Sequence, residues 1–590
     1  MTVFPHQNEA NLEATKRLLA EVVNEGLVSA TVESLDSSEE RFLVLSSNSE
    51  HAQRPNTNRI RVNLRPDTHI CLRDGQVISL VRPNSLQPPV ILSDDNGTDV
   101  KTTLQPETIF DAMRPWLLDD GADEPMLEEI GKELANSCNN QVEWLQIARS
   151  SKPLGLNSQS LDWERALITG HPTHPYHRLC YAQAPLKPFH SKDLADMLTP
   201  SLAFVSVPRS DMLISGEYEE TLESLLQKLK VPKPSSERLI VPCLTQQLPA
   251  VQLYFPNAIV VKTVSQIADA LASIRTLKTR PERDFPYHIK LSLACQITSA
   301  LRTITPWTAI GGPFFSDLLE KFLPETLWVY REVGAITGSQ EDFSKAKHLS
   351  CILRDDLEAQ AKANNEMLVL AAALAHHLPG TSQSYAEILF NLKTPQDKRE
   401  WLQRYVDCVF RAVLPSLVDY GIGVEAHGQN LVARVCRETG EVKGFAVRDF
   451  GGIRLHVPTL KQKGVDFSSI PSGSAVMTDN LHNVWSKVHH AVVQNHIGSL
   501  LGALGLDEPS GWTIVRDTLS AVLRPEKSVP GKEVYDFFLG DTMPFKCFLR
   551  MRMEGKYRDY VEREIPNVLL MGSSQWDDIL ANYKPVLHRL

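Results

Sequence analysis

The chain has 590 residues, 42% of them hydrophobic and 22% charged, and a formal net charge of −10. That length is too great for one hydrophobic core and calls for about two to four domains. The acidic balance excludes a general nucleic-acid binder, so any anionic ligand must be met by a local cluster of cations.

From Glu9 to Asn24 the apolar spacing predicts an amphipathic helix, Leu27–Leu45 reads as strands, and Arg59–Val81 adds strand-like alternation around a turn at Asp74-Gly75. Pro106–Ser150 reads as helical. Residues 1–150 are therefore expected to form a first domain of mixed character. A second, 151–345, holds the proline-stiffened turn GHPTHPYHR and strand candidates at Leu239–Cys243 and Ile259–Thr263. Helices are predicted around Lys290–Ile304 and Phe315–Tyr330, with Gly311-Gly312-Pro313 as a helix stop. Val231–Glu237 reads as a flexible connector or a loop within this domain. The third, 346–590, is mostly helical by pattern, as at Ser344–Leu378, Gln396–Leu414 and Asp479–Leu504. The fold class expected is α+β with a helix-rich C-terminal half.

Nine cysteines stand singly with no CxxC pair, which suits reduced thiols and not a disulfide framework or zinc ribbon. No signal-peptide pattern opens the sequence, and its longest apolar run, Met367–Ala375, is under half of a membrane span. A cytoplasmic protein without membrane or nucleic-acid partners is expected.

In the third domain, Leu431–Cys436 and Val442–Val447 flank Glu438-Thr439-Gly440-Glu441, a β-hairpin signal. A turn centred between Thr439 and Gly440 places Asn430 opposite Asp449, with Glu425 and His427 just before. Glu425, Asn430 and Asp449 offer hard oxygens, which suit magnesium better than zinc.

His171 and His174 are presented from an extended turn too short of further nitrogen or sulfur ligands for zinc, and His171 could contact phosphate or carboxylate. Arg275, Lys278, Arg280, Arg283, Lys290 and Arg302 form the basic stretch where a polyanion would bind, with Ser273 and Thr276 hydroxyls among them. On the helix expected over Leu291–Ile304, Thr298 and Arg302 become neighbours able to hold one carboxylate. No Walker loop is present. His427-x-x-Asn430 and Asp449-Phe450-Gly451 are similar to a kinase catalytic loop and metal-binding motif, but Gly428-Gln429 leave no catalytic aspartate.

Taken together, GHPTHPYHRLCYA (170–182), SIRTL (273–277), Lys290 with ITSALR (297–302), EAHGQN (425–430), RDFGG (448–452) and KCFLRMRMEG (546–555) resemble, in order, the motifs of the NRPS-independent siderophore synthetases. Arg178, Cys180 and Ala182 stand where that family has lysine, arginine and glycine. The resemblance implies a hand-like architecture: a thumb (1–150), fingers binding nucleotide phosphates (151–345) and a palm with the metal and carboxylate site (346–590).

It implies an ATP- and Mg²⁺-dependent ligase that adenylates citrate, a citryl derivative or a related acid. An amine or alcohol then displaces AMP, and the enzyme is commonly a homodimer. By motif, His171, Ser273, Arg275, Thr276 and Lys290 would bind ATP. Thr298, Arg302, His427 and Gln429 would hold the acid, with Arg302, His427 and Lys290 catalytic, and Glu425, Asn430 and Asp449 would serve the metal. A kinase-like phosphotransferase and a non-catalytic ligand-binding relative are the alternatives.

Overall fold

The computed structural model describes residues 5–34, 40–48, 59–66, 68–94, 98–378, 380–471, 473–556 and 561–589. Its first part is a long helix, Pro5–Asn24, lying with helices Pro106–Asp119 and Glu124–Ser150 against an antiparallel seven-stranded sheet. The alternation in Arg59–Leu64 explains the packing: Ile60, Val62 and Leu64 point into the core, where they join Leu18, Val22, Phe110 and Ile130. Asp74 and Gly75 both take positive φ, as the tight turn between Leu72–Arg73 and Gln76–Val77 requires.

The second part is built on two antiparallel sheets. One has six strands in the order Met212–Gly216, Glu332–Gly338, Cys351–Asp355, Tyr287–Leu291, Thr276–Thr279 and Ala268–Ala270. In the other, Leu202–Pro208 lies between Arg238–Leu244 and Ile259–Val264, so the two strand candidates do not pair with each other. Residues 231–237 are the loop between helix Tyr218–Lys228 and strand Arg238–Leu244.

The third part centres on a four-stranded sheet, Leu327–Val329, Val442–Val447, Leu431–Cys436 and Glu366–Leu370, covered by the helix Pro395–Tyr420. A continuous helical run follows at Leu481–Val488, His489–Ile497 and Gly498–Leu504. Its middle section is π-helical, a geometry frequent at functional sites.

Several expectations need correction. Lys290–Ile304 is not a helix. It is the end of strand Tyr287–Leu291 followed by a hairpin, Cys295–Ile297 with Ala300–Leu301, turning at Thr298 and Ser299. The apolar residues at helical spacing there, Leu293, Ile297, Leu301 and Ile304, are divided between loop and strands. The real helix is Pro306–Phe322; Gly311, Gly312 and Pro313 lie inside it, and Leu327–Val329 beyond it is a strand. Ser344–Leu378 contains two strands, Cys351–Asp355 and Glu366–Leu370, each lacking an exposed residue. A strand covered on both faces shows no alternation, and its short apolar run cannot be told from a helix by pattern.

The central hairpin forms over the strands expected, Leu431–Cys436 and Val442–Val447, but its register is one residue away: Leu431 faces Val447, and the Arg448 N–H donates to the Asn430 carbonyl at 3.1 Å. A bulge between Arg434 and Val435 shifts the register within the hairpin, from Val435 opposite Val442 near the turn to Arg434 opposite Gly444 beyond it. Asp449 is therefore outside the ladder. Its left-handed backbone, φ 66°, turns the chain at that point, and the residue still reaches the same cavity wall as Glu425 and Asn430.

Candidate active site

Helices, strands and loops from all three parts enclose a cavity of about 1480 Å³, larger than a typical small-molecule pocket and roomy enough for a nucleotide and an organic acid together. Among the described residues, twelve lysines and arginines line it against four carboxylates, Glu9, Glu13, Glu425 and Asp449. In an acidic protein that excess concentrates positive potential at one place.

The cavity brings together His171, Ser273, Arg275, Lys290, Thr298, Arg302, Glu425, His427, Gln429, Asn430 and Asp449. Thr276 is the exception among the candidates. It is buried in strand Thr276–Thr279 opposite Lys290, and its hydroxyl accepts a hydrogen bond from Ser273 Oγ at 2.9 Å, so it supports the wall from behind.

Three wall segments depend on left-handed backbone at non-glycine residues: Ile274 (φ 65°), Thr298 (φ 57°) and Asp449 (φ 66°). For β-branched isoleucine and threonine this conformation is strained, and such strain persists where surrounding structure holds it for a purpose. At Ile274 the kink sets Ser273 and Arg275 on the wall. At Thr298 it closes the hairpin that carries Thr298 and Arg302 together, although the helix expected to do so is absent.

The histidine loop is rigid. Gly170, at φ 66°, has room for no side chain: a Cβ there would lie 2.1 Å from the His177 carbonyl oxygen. The backbone N–H groups of Thr173 and His174 donate to His171 Nδ1 at 3.3 and 3.0 Å, which places the proton of the neutral ring on Nε2. Burial, with His427, Arg17, His490 and Lys546 nearby, pushes His171 well below the usual imidazole range. His174 Nδ1 accepts from the Tyr176 N–H, leaving its Nε2–H to meet Ser299 Oγ at 2.6 Å, so the loop braces the tip of the Thr298 hairpin. Its ring stacks on Phe548 at 4.3 Å.

On the opposite wall, the Gln429 N–H donates to His427 Nδ1 at 3.3 Å, and burial lowers His427 although Glu425 opposes it. The guanidinium of Arg448 pairs with buried Glu164 and donates to the Gln429 carbonyl at 2.8 Å, fixing the EAHGQN segment. Asp449 Oδ1 accepts from Lys290 Nζ at 2.7 Å and from Arg354 Nη1 at 3.1 Å. Burial would raise this carboxyl, but Lys290, Arg354 and Arg448 outweigh it and hold Asp449 far below the ordinary range. Glu425 pairs with Lys487 at 2.6 Å and accepts from Asn430 Nδ2 at 3.4 Å.

Among the described residues no three His, Cys, Asp or Glu side chains gather into a metal cage. Glu425, Asn430 and Asp449 nonetheless fit magnesium, which usually takes one or two carboxylates and completes its octahedron with water and phosphate oxygens.

Sequence reasoning missed Lys487, His490 and Lys546 on the wall and Arg354 behind it. Lys487 and His490 gave no signal because they sit in a long helical pattern. Lys546 and Phe548 stood in the KCFLRMRMEG segment, which was read only for its resemblance.

The model of the IucA / IucC family matches residues 248–376, and that of the ferric iron reductase FhuF-like transporters matches 399–561. Among the described residues no helix is long and apolar enough to cross a membrane. The NRPS-independent siderophore synthetase-like protein ankE of Aspergillus thermomutatus is 49% identical, with 99% of each chain covered. The NRPS-independent siderophore synthetase rfs of Rhizopus delemar is 34% identical over 75% of this chain and 71% of its own. The petrobactin biosynthesis protein AsbB of Bacillus anthracis has the same fold, with a TM-score of 0.75, 18% identity and 96% of each chain covered. So does ATP-bound aerobactin synthetase IucA of Klebsiella pneumoniae, with a TM-score of 0.70, 15% identity, 95% of this chain and 99% of its own.

Proposed function

This chain belongs to the NRPS-independent siderophore synthetase family, and from that premise we propose that it is an ATP-dependent ligase joining a carboxylic acid to an amine or alcohol in siderophore or related secondary metabolism. The acid is citrate or a related di- or tricarboxylate. One of its carboxylate oxygens attacks the α-phosphorus of ATP, the bond to the β-phosphate oxygen breaks, and pyrophosphate leaves. The nucleophile then attacks the acyl carbon of the adenylate, and AMP departs with the bonding pair.

The observation that carries this reading is the convergence of eleven of the candidate side chains on one cationic cavity. Two anions must meet there, and fixed cations offset their repulsion. In this assignment Ser273, Arg275, Lys290 and the Nε2–H of His171 bind the triphosphate, with Thr276 supporting Ser273. Arg302, Thr298 and His427 orient the acid, with Gln429 beside it. Glu425, Asn430 and Asp449 would hold Mg²⁺. The ion would neutralise charge developing on the departing pyrophosphate. The thumb, fingers and palm division at 1–150, 151–345 and 346–590, a homodimer and a cytoplasmic location belong to the same proposal.

The test is a hydroxylamine-trapping screen across di- and tricarboxylic acids with ATP. Acid-dependent hydroxamate with AMP and pyrophosphate is expected. ADP would instead return the phosphotransferase reading, and nucleotide binding without turnover the non-catalytic one.

A further inference from the structure

Behind the cavity wall lies a carboxylate that the reaction as assigned does not use. Glu332 is fully buried, and neither of its oxygens has a hydrogen-bond partner. Its Oε1 is 3.6 Å from Lys290 Nζ. Glu332 faces Arg354 across the strand ladder, and Arg354 in turn reaches Asp449. The space it fills exists because residue 312 is glycine: a Cβ there would lie 2.5 Å from Oε2. Lys290, Arg354, Asp449 and Glu332 thus form a quartet of two basic and two acidic side chains, in which burial raises the Glu332 carboxyl and Lys290 opposes the rise. Only Lys290 and Asp449 of the four reach the cavity.

A buried carboxylate left without hydrogen bonds is costly and calls for a reason. Lys290 cannot serve a triphosphate while it is committed to Asp449, and Asp449 cannot serve a metal while two cations hold one of its oxygens. We propose that Glu332 is a positioning residue for the nucleotide-binding step: it anchors Lys290 from behind, so that the ammonium stays fixed and aimed into the cavity when Asp449 disengages. Lys290 and Arg354 both lie on Asp449 Oδ1, and without that anchor the triphosphate must draw Lys290 away unaided. The inference rests on the ligase reading only in taking ATP as the ligand.

Plain through-space electrostatics predicts the opposite sign, because removing a buried negative charge should tighten binding of an anion. The experiment therefore compares the ATP dissociation constant of the wild type, Glu332→Gln and Glu332→Asp by calorimetry, with Mg²⁺ and with EDTA. Thermal melts control for folding. Glu332→Gln keeps the shape and loses the carboxyl; Glu332→Asp keeps the carboxyl and withdraws it by one methylene from Lys290. Both are expected to weaken ATP about tenfold, with the KM for the acid unchanged. Wild-type or tighter ATP affinity in Glu332→Gln overturns the proposal. If that variant does not fold, Glu332→Asp decides, and wild-type affinity there overturns it. Wild-type protein that releases no AMP with any acid sinks the ligase reading and leaves the ATP comparison to judge Glu332 alone.

Discussion

Glu425 occupies the space that a side chain at position 452 would need: a Cβ on Gly452 would lie 1.8 Å from Glu425 Oε2. The glycine ending RDFGG is thereby tied to the glutamate that opens EAHGQN. Gly452→Ala must push the Glu425 carboxylate off Lys487 and Asn430. A displacement of about 1 Å in such a group can cost on the order of a hundredfold in rate. AMP release should fall by about that factor in a protein that melts near the wild-type temperature; full activity would detach Glu425 from the site.

Arg302 stands half-buried on the wall of the Thr298 hairpin, and its side chain contributes little to any core. Arg302→Ala should abolish acid-dependent AMP formation while shifting unfolding free energy by about 1 kcal/mol or less. Retained citrate activation in a hydroxamate assay would show that this face of the hairpin does not hold the acid.

Asp449 is the anion on which Lys290 and Arg354 converge, and Arg354 is 1% exposed. Asp449→Asn should weaken the Mg²⁺ dependence of ATP use and destabilise the fold by about 3 kcal/mol, since a buried cation loses its partner. The lowered carboxyl fixes the sign with pH: its contribution is whole above the ordinary carboxylate value and is lost as pH falls below it. A magnesium titration of the variant that overlays the wild type would remove Asp449 from the metal.

Burial drives many histidines downward, His376 to about 3 and His489 and His496 to about 4. A folded-state value below the unfolded one means stability that is complete above about pH 6.5 and is lost on acidification towards pH 4, at about 1.4 kcal/mol per unit for each group. Glu25, raised by burial to about 7 beside Glu21, acts in the opposite sense and offsets part of the loss. The histidines outnumber such acids, so urea unfolding free energy should drop between pH 6.5 and 4.5. A rise over that interval would contradict the assignment of neutral buried rings.

The strands Leu431–Cys436 and Val442–Val447 were legible because short apolar runs flanked a glycine-bearing turn. Their register was not, because the bulge beside Arg434 depends on packing across the sheet. Thr298 and Arg302 were brought together for the wrong reason. Spacing that fits one face of a helix also fits two strands of a hairpin, and only contact with His174 and the neighbouring strands selects the hairpin. The strands inside 344–378 were hidden by being buried on both faces, which removes the alternation that would have revealed them.

By itself the sequence determined which residue types could handle phosphate, carboxylate and a hard cation, and the local turns that present them, since those follow from side-chain chemistry and short-range backbone preference. Only the tertiary structure decided that Lys290, Arg354, Glu332 and Asp449 share one set of charges, and that Lys487 and Lys546 join the wall. Those pairings span distances along the chain over which no periodicity survives, and they are set by how sheets and helices pack.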